Sequence, residues 1–297
     1  MINREKMKNI AYFIGKSLGL LGLLYVFYTL YQEYTWSSFT HQFLSILHLM
    51  PLLFALNIIS ILLGIYAWHT MLLHYTQKPF GFLASYYYFS KTDIAKYLPG
   101  NVFHYVGRQA LASKIGISQK EMAKTSMLVS FLLLVSTVIS SFIFALFSQN
   151  TPTFILTFMG LSSMITLISV RYVYPSFPIR RKIVMNAYLA LSIALQGVML
   201  GIIVMYQSDA FTMSLFFQCV SIYILSWLIG FVTPGASGGL GVREGIFIAI
   251  TNYLHIDISA EIIIFSVLLV RLINICVDVL LYLGTFGLEK KMKELKL

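Results

Sequence analysis

Apolar residues run through this chain in long blocks, broken by short polar interruptions. Apolar stretches lie near 10–30, 51–74, 126–148, 153–174, 183–206, 214–233 and 260–286. Each is long enough to cross about 30 Å of hydrocarbon as a helix. A shorter apolar piece at 245–257 is too short to cross alone. Joined to the segment 233–244 it completes a broken span, so the pattern predicts about eight crossings. The expected fold is an all-α integral membrane protein, with re-entrant or broken helices where Pro-Gly pairs interrupt the pattern. Positions 80–98 interleave Phe80, Phe82, Leu83, Tyr86, Tyr87, Phe89, Ile94 and Leu98 with Lys91, Asp93 and Lys96. That mixture suits a helix at the headgroup level.

Composition agrees with this pattern and leaves no room for a soluble domain. The chain is 58 % hydrophobic and 11 % charged, with a mean hydropathy of +0.81. It reads as one membrane domain over 1–297, with pseudo-repeat halves at about 51–150 and 183–290.

The net charge of +10 is mostly a topology signal. Lys and Arg gather at the amino end, in 75–125, in 171–182 and in the tail. The connections near 31–50, 149–152, 207–213 and 255–260 contain neither. By the positive-inside rule both termini and both Pro-Gly motifs are cytoplasmic. Nothing in the distribution calls for a nucleic-acid partner. The first span lacks a small-residue cleavage site and reads as a retained anchor. Cys219 and Cys276 fall in apolar spans without metal or redox spacing.

Two motifs carry the candidate chemistry. Pro99-Gly100 is followed after seven residues by Arg108-Gln109, and Pro234-Gly235 after seven by Arg243-Glu244. A helix break with small residues and a charge at a membrane edge usually lines a cavity or a pathway. The first motif contributes Lys96, Asn101, His104 and Arg108 as candidate ligands of a lipid phosphate. The second contributes Ser237, Gly238, Gly239, Gly241, Arg243 and Glu244. Its glycine run cannot hold a continuous helix, and freed N–H groups at a helix start cradle anions. Arg243 adds a bidentate fork, and Glu244 could hold Arg243 or contact a cationic headgroup. On the last span, Arg271, Asn274 and Asp278 share a helix face. An unpaired charge near mid-span costs at least ~2.5–3.5 kcal/mol, so Arg271 needs a partner among Asn274, Asp278 and Glu244.

Several other signatures fail. Gly235-Ala236-Ser237-Gly238 matches a membrane serine-protease core, but the later His255 falls in an outer loop. The glycines lack dinucleotide spacing, no phosphate-binding P-loop exists, and His69 and His74 are badly spaced for a metal. No cofactor is expected.

At GGLGVREG, KYLPGNVFHYVGR and the late VLLVRL, the chain resembles the transmembrane region of lysylphosphatidylglycerol synthases. These are the multiple peptide resistance factors, and the likeness extends to their stand-alone relatives. It covers nearly the whole length. It implies a flippase that moves a modified phospholipid between leaflets of a bacterial or archaeal cytoplasmic membrane, with Arg108, Arg243, Glu244 and Arg271 lining the route. The full synthases carry a soluble aminoacyl-transfer domain after the last span, whereas this sequence ends at Leu297. The expectation is therefore a chain that does not itself make the lysyl-lipid. Stand-alone relatives resemble partners of glycolipid or surface-polysaccharide pathways. A polyprenyl-phosphate-linked sugar is thus an equal candidate substrate, and a glycosyltransferase a candidate partner. The alternatives are a scaffold for such an enzyme and a membrane transferase using Asp93, Glu244 or His104 as acid or base.

Overall fold

The structure, a computed structural model, describes residues 36–75, 81–97, 103–112, 116–148, 151–173, 175, 177–208, 212–233, 239 and 241–294. The predicted first span at 10–30 lies outside these residues, as do Pro99, Gly100, Asn101, Pro234, Gly235, Ser237 and Gly238. Among the described residues every regular element is helical. The α-helices are α1 (Trp36–Ile46), α2 (Met50–Tyr75), α3 (Phe82–Asp93), α4 (Phe103–Ala112), α5 (Gln119–Leu146) and α6 (Thr153–Tyr172). They continue with α7 (Ile179–Gln207), α8 (Met213–Val232), α9 (Val242–Tyr253), α10 (Ala260–Phe286) and α11 (Glu289–Glu294). Short 3₁₀ turns at Leu47–Leu49 and Ile94–Tyr97 extend α1 and α3.

Among the described residues six helical stretches are long and apolar enough to cross a membrane. The chain thus has the make-up of a multi-pass membrane protein. One difference from the sequence reading stands out. Part of 31–50, expected as a connection, is helical, and the apolar stretch runs from Thr40 to His74. Charge-free sequence there leaves nothing to stop a helix, and only the 3₁₀ turn at Leu47–Leu49 interrupts the α-helical pattern.

Polar caps set the helix starts. Ser118 and Glu121 form a capping box that carries α5 back to Gln119, seven residues earlier than hydropathy alone suggested. Thr212 and Ser259 cap α8 and α10 by hydroxyl alone, accepting from the N–H groups of Leu215 and Ile262. At the α6–α7 junction, Lys182 is 1 % exposed and donates to the carbonyls of Val170 and Val173 at the end of α6. A cation on the carbonyls that end a helix satisfies both the hydrogen bonds and the dipole.

Helix α7 sits at the centre, packed on α2, α5 and α8. Gly197 and Gly201, four apart, allow the α8 approach. A Cβ on Gly197 would lie 2.8 Å from Val220, and one on Gly201 would lie 2.6 Å from the Phe216 ring. Small residues at this spacing are a common device for helix pairing in lipid, where apolar side chains gain nothing by leaving the tails. Serine pairs add polar stitches, with Ser60 bonded to Ser192 across α2–α7 and Ser141 to Ser221 across α5–α8. By contrast α6 packs mainly on α5 and keeps Phe154, Phe158, Leu161 and Ile165 exposed.

Candidate functional site

Helix α3 and its 3₁₀ turn fold against α10 and α11 through polar contacts. Tyr86 donates to the carbonyl of Leu281 at 2.8 Å, and Lys91 meets Glu289 at 2.8 Å. Lys96 reaches Asp278 at 2.7 Å, while the Tyr97 hydroxyl donates to the same carboxylate at 2.5 Å. Gly284 leaves room for the Tyr86 hydroxyl, which would lie 2.6 Å from a Cβ there. The first motif is thereby held against the last long helix.

Between α3 and α4 on one side and α2, α5, α7, α8, α9 and α10 on the other lies a cavity of about 260 Å³. Its lining includes Lys96, His104, Arg108, Arg243, Arg271 and Asn274. The arginines of the two Pro-Gly motifs therefore face one space. Asp278 is not part of the lining but holds Lys96 from behind.

On the α3–α4 side, Asp93 bridges two cations. Its carboxylate accepts from Arg108 at 3.0 Å and from Lys96 at 2.8 Å. Arg108 is 5 % exposed, with its guanidinium 4.6 Å from the Phe89 ring centre and 5.6 Å from that of Trp68. Such stacking suits a weakly hydrated guanidinium. Burial alone would push the Asp93 carboxyl up, but Lys96 and Arg108 outweigh it and hold it below its ordinary value. Burial would likewise lower the Lys96 ammonium, and the carboxylates of Asp93 and Asp278 instead hold it above its usual range. His104 is pushed down to about 4, by burial first and by the Arg108 charge second.

On the α8–α9 side, Arg243 threads between two glycines. A Cβ on Gly230 would lie 2.6 Å from its Cγ, and one on Gly239 would lie 2.8 Å from its Nε. Gly239 and Gly241 have φ of +73° and +77°, which a side chain would strain. The guanidinium lies 5.4 Å from the Trp227 ring centre. Glu244 does not hold Arg243. It is 1 % exposed and pairs with Arg271 at 3.4 Å. Of the three partners expected for Arg271, Glu244 is thus the ionic one, because Asp278 is turned toward Lys96 and Tyr97.

A chain of amides and hydroxyls runs along the cavity wall, which Ser60, Gln196 and Asn274 line. Asn57 donates to Asn274 at 2.9 Å, Asn274 to Gln196 at 2.9 Å, and Gln196 to Ser60 at 3.0 Å. Sequence reasoning found Asn274 but not Asn57, Gln196, Ser60 or Ser192. Their signal was available, since uncharged polar residues inside apolar spans seek partners across helices. Trp227 and Gly230 had no separate signal, because each reads as ordinary span sequence until Arg243 is set against it.

Among the described residues no cluster of three or more His, Cys, Asp or Glu could hold a metal ion. Comparison with known protein families and with curated proteins finds no match for this chain.

Proposed function

We propose that the protein is a lipid translocase. It moves an anionic or headgroup-modified phospholipid, or a polyprenyl-phosphate-linked glycolipid, across a bacterial or archaeal cytoplasmic membrane. The observation that carries this reading is the convergence of Arg108, Arg243, Lys96 and Arg271 on one cavity among membrane-crossing helices. Guanidinium groups beside aromatic rings grip phosphate bidentately. The Asn57–Asn274–Gln196–Ser60 chain gives a polar headgroup alternative partners deeper in the bundle, while its tails stay in lipid. In this reading the chain crosses about eight times. Both termini are cytoplasmic, α3 and α4 form a re-entrant hairpin, and the cavity opens on the cytoplasmic side.

A transferase would need Asp93, Glu244 or His104 as acid or base; the two carboxylates are engaged in ion pairs, and His104 is pushed down to about 4, which makes it a weak base. The test is leaflet accessibility of fluorescent lipids in proteoliposomes, comparing an anionic phospholipid with a polyprenyl-phosphate analogue. Movement that is lost in Arg243→Ala supports translocation. Unchanged movement in a folded Arg243→Ala, Arg271→Ala double variant overturns this mechanism. No movement from folded wild-type protein turns the reading toward an accessory subunit of a glycosyltransferase.

A further inference from the structure

The carboxylates around the cavity are already occupied. Asp93 is held by Arg108 and Lys96, and Asp278 by Lys96 and Tyr97. Glu244 meets Arg271 through one oxygen, and its other oxygen is sealed away without a partner. Among the described residues four cations, Lys96, Arg108, Arg243 and Arg271, thus stand against three carboxylates, which leaves a surplus of one positive charge. His104 adds none near neutral pH, since its imidazole is pushed down to about 4. Sequence positions 98–102 and 234–238, which flank the described parts of the two motifs, contain no ionisable side chain.

The surplus belongs to Arg243. Among the described residues it has no carboxylate partner, its Nε is buried without a hydrogen bond, and its neighbour is the face of Trp227. Two further cavity-lining groups have unused polar atoms. Arg108 and His104 are 5 % and 6 % exposed, and Arg108 Nε and His104 Nδ1 lack partners.

We infer that the cavity selects a headgroup with a single negative charge and no ammonium group, an amine-free phosphodiester whose phosphate sits on Arg243. This rests on the translocase reading and narrows its substrate. An aminoacylated or zwitterionic headgroup would bring an ammonium to a space with no free carboxylate among the described residues. A phosphomonoester or diphosphate would bring more negative charge than the surplus neutralises. Inside a bundle of low dielectric either mismatch is expensive. The volume of about 260 Å³ lies just below the common range of roughly 300–1,000 Å³ for small-ligand sites. It suits a headgroup, not acyl chains. Two lipid sources share this chemistry, a glycerophospholipid diester and a polyprenyl-phosphate monosaccharide.

The test is lipid binding by the purified full chain, read by native mass spectrometry. The probes are phosphatidylglycerol, a polyprenyl-phosphate monosaccharide, phosphatidic acid, lysyl-phosphatidylglycerol, phosphatidylethanolamine and inorganic phosphate. One of the two amine-free diesters should bind at least tenfold more tightly than the other four probes, and which one it is names the source. Arg243→Gln should remove that preference. Arg243→Lys keeps the charge and should keep the order of preference at lower affinity, which guards against a folding failure. Asp93→Asn raises the surplus to two and should shift preference toward phosphatidic acid. Equal or tighter binding of lysyl-phosphatidylglycerol overturns the inference, as does binding of inorganic phosphate without discrimination among lipids. The two readings fail separately. Transport of lysyl-phosphatidylglycerol alone would spare the translocase and end the charge assignment. Arg243-dependent diester binding without transport would do the reverse.

Discussion

Gly230 and Arg243 fit together so closely that a Cβ on the glycine would lie 2.6 Å from the Arg243 Cγ. The glycine lies on α8 and the arginine on α9, so the pair fixes where the guanidinium stands relative to Trp227. Gly230→Ala should therefore separate stability from function. Alanine gains about 1 kcal/mol of helix propensity over glycine, offsetting part of the crowding. The variant should keep its thermal midpoint within a few degrees yet lose at least tenfold of Arg243-dependent lipid uptake. Full uptake by this variant would mean that Arg243 works from another position.

The tie between Lys96 and Asp278 predicts an order of destabilisation. Lys96→Met strips a cation from both Asp93 and Asp278, whereas Asp278→Asn leaves Lys96 its bond to Asp93. Removing one partner of a buried pair costs about 3–5 kcal/mol. The side chain of Lys96 is 31 % exposed, so its loss should fall at or below the low end. Asp278→Asn should cost less still. Thermal unfolding in detergent gives the order, and the reverse order would show that Asp278 is held mainly through Tyr97 and not through Lys96.

Acid should weaken the protein in two stages. His104 has an ordinary value of 6.5 and is pushed to about 4 in the fold. Between these limits the unfolded chain binds a proton that the folded one refuses, so stability falls as pH drops from 6.5 toward 4. At about 1.4 kcal/mol per pH unit the loss approaches roughly 3 kcal/mol. Asp93 is held below its ordinary value of 3.8, so its contribution is lost only at still lower pH. His104→Gln should flatten the first stage and leave the second. A profile unchanged by that substitution would assign the first stage to another group.

The α7–α8 seam offers a test free of charge effects. Gly197→Leu would push a branched side chain into Val220 and Ile224, whose atoms already lie 2.8–3.0 Å from a Cβ there. Overpacking of this kind costs about 1–3 kcal/mol. A lower thermal midpoint in detergent is expected, with the lipid preference of the remaining folded fraction unchanged. No loss of stability would mean that α8 stands further from α7.

The long helices were legible in the sequence because hydropathy over a membrane thickness is a strong, redundant signal. Their ends were less so. A single serine with a glutamate three residues later moved the start of α5 to Gln119, a local bond that an apolar window averages away. Candidate site residues were found where a charge stood out against apolar surroundings, as at Arg108, Arg243 and Arg271. Pairing was not legible. Glu244 follows Arg243 in the chain yet meets Arg271, because successive helical residues point about 100° apart and α10 lies on the Glu244 side. Gly239 was read as part of an anion cradle, but together with Gly230, which carried no signal of its own, it makes room for the protein's own arginine.

The contacts that hold α3 and its 3₁₀ turn join residues far apart in the order of synthesis. Tyr97 and Asp278 are separated by 181 positions, Tyr86 and Leu281 by 195, and Lys91 and Glu289 by 198. A chain made from its amino end has Tyr86, Lys91, Lys96 and Tyr97 in place long before any of these partners exists. The helices up to α9 can insert and pair in that interval, yet the wall formed with α10 is missing. The binding space is therefore completed only when the last long helix is made, and a nascent chain halted before Asp278 carries most of the bundle without its site.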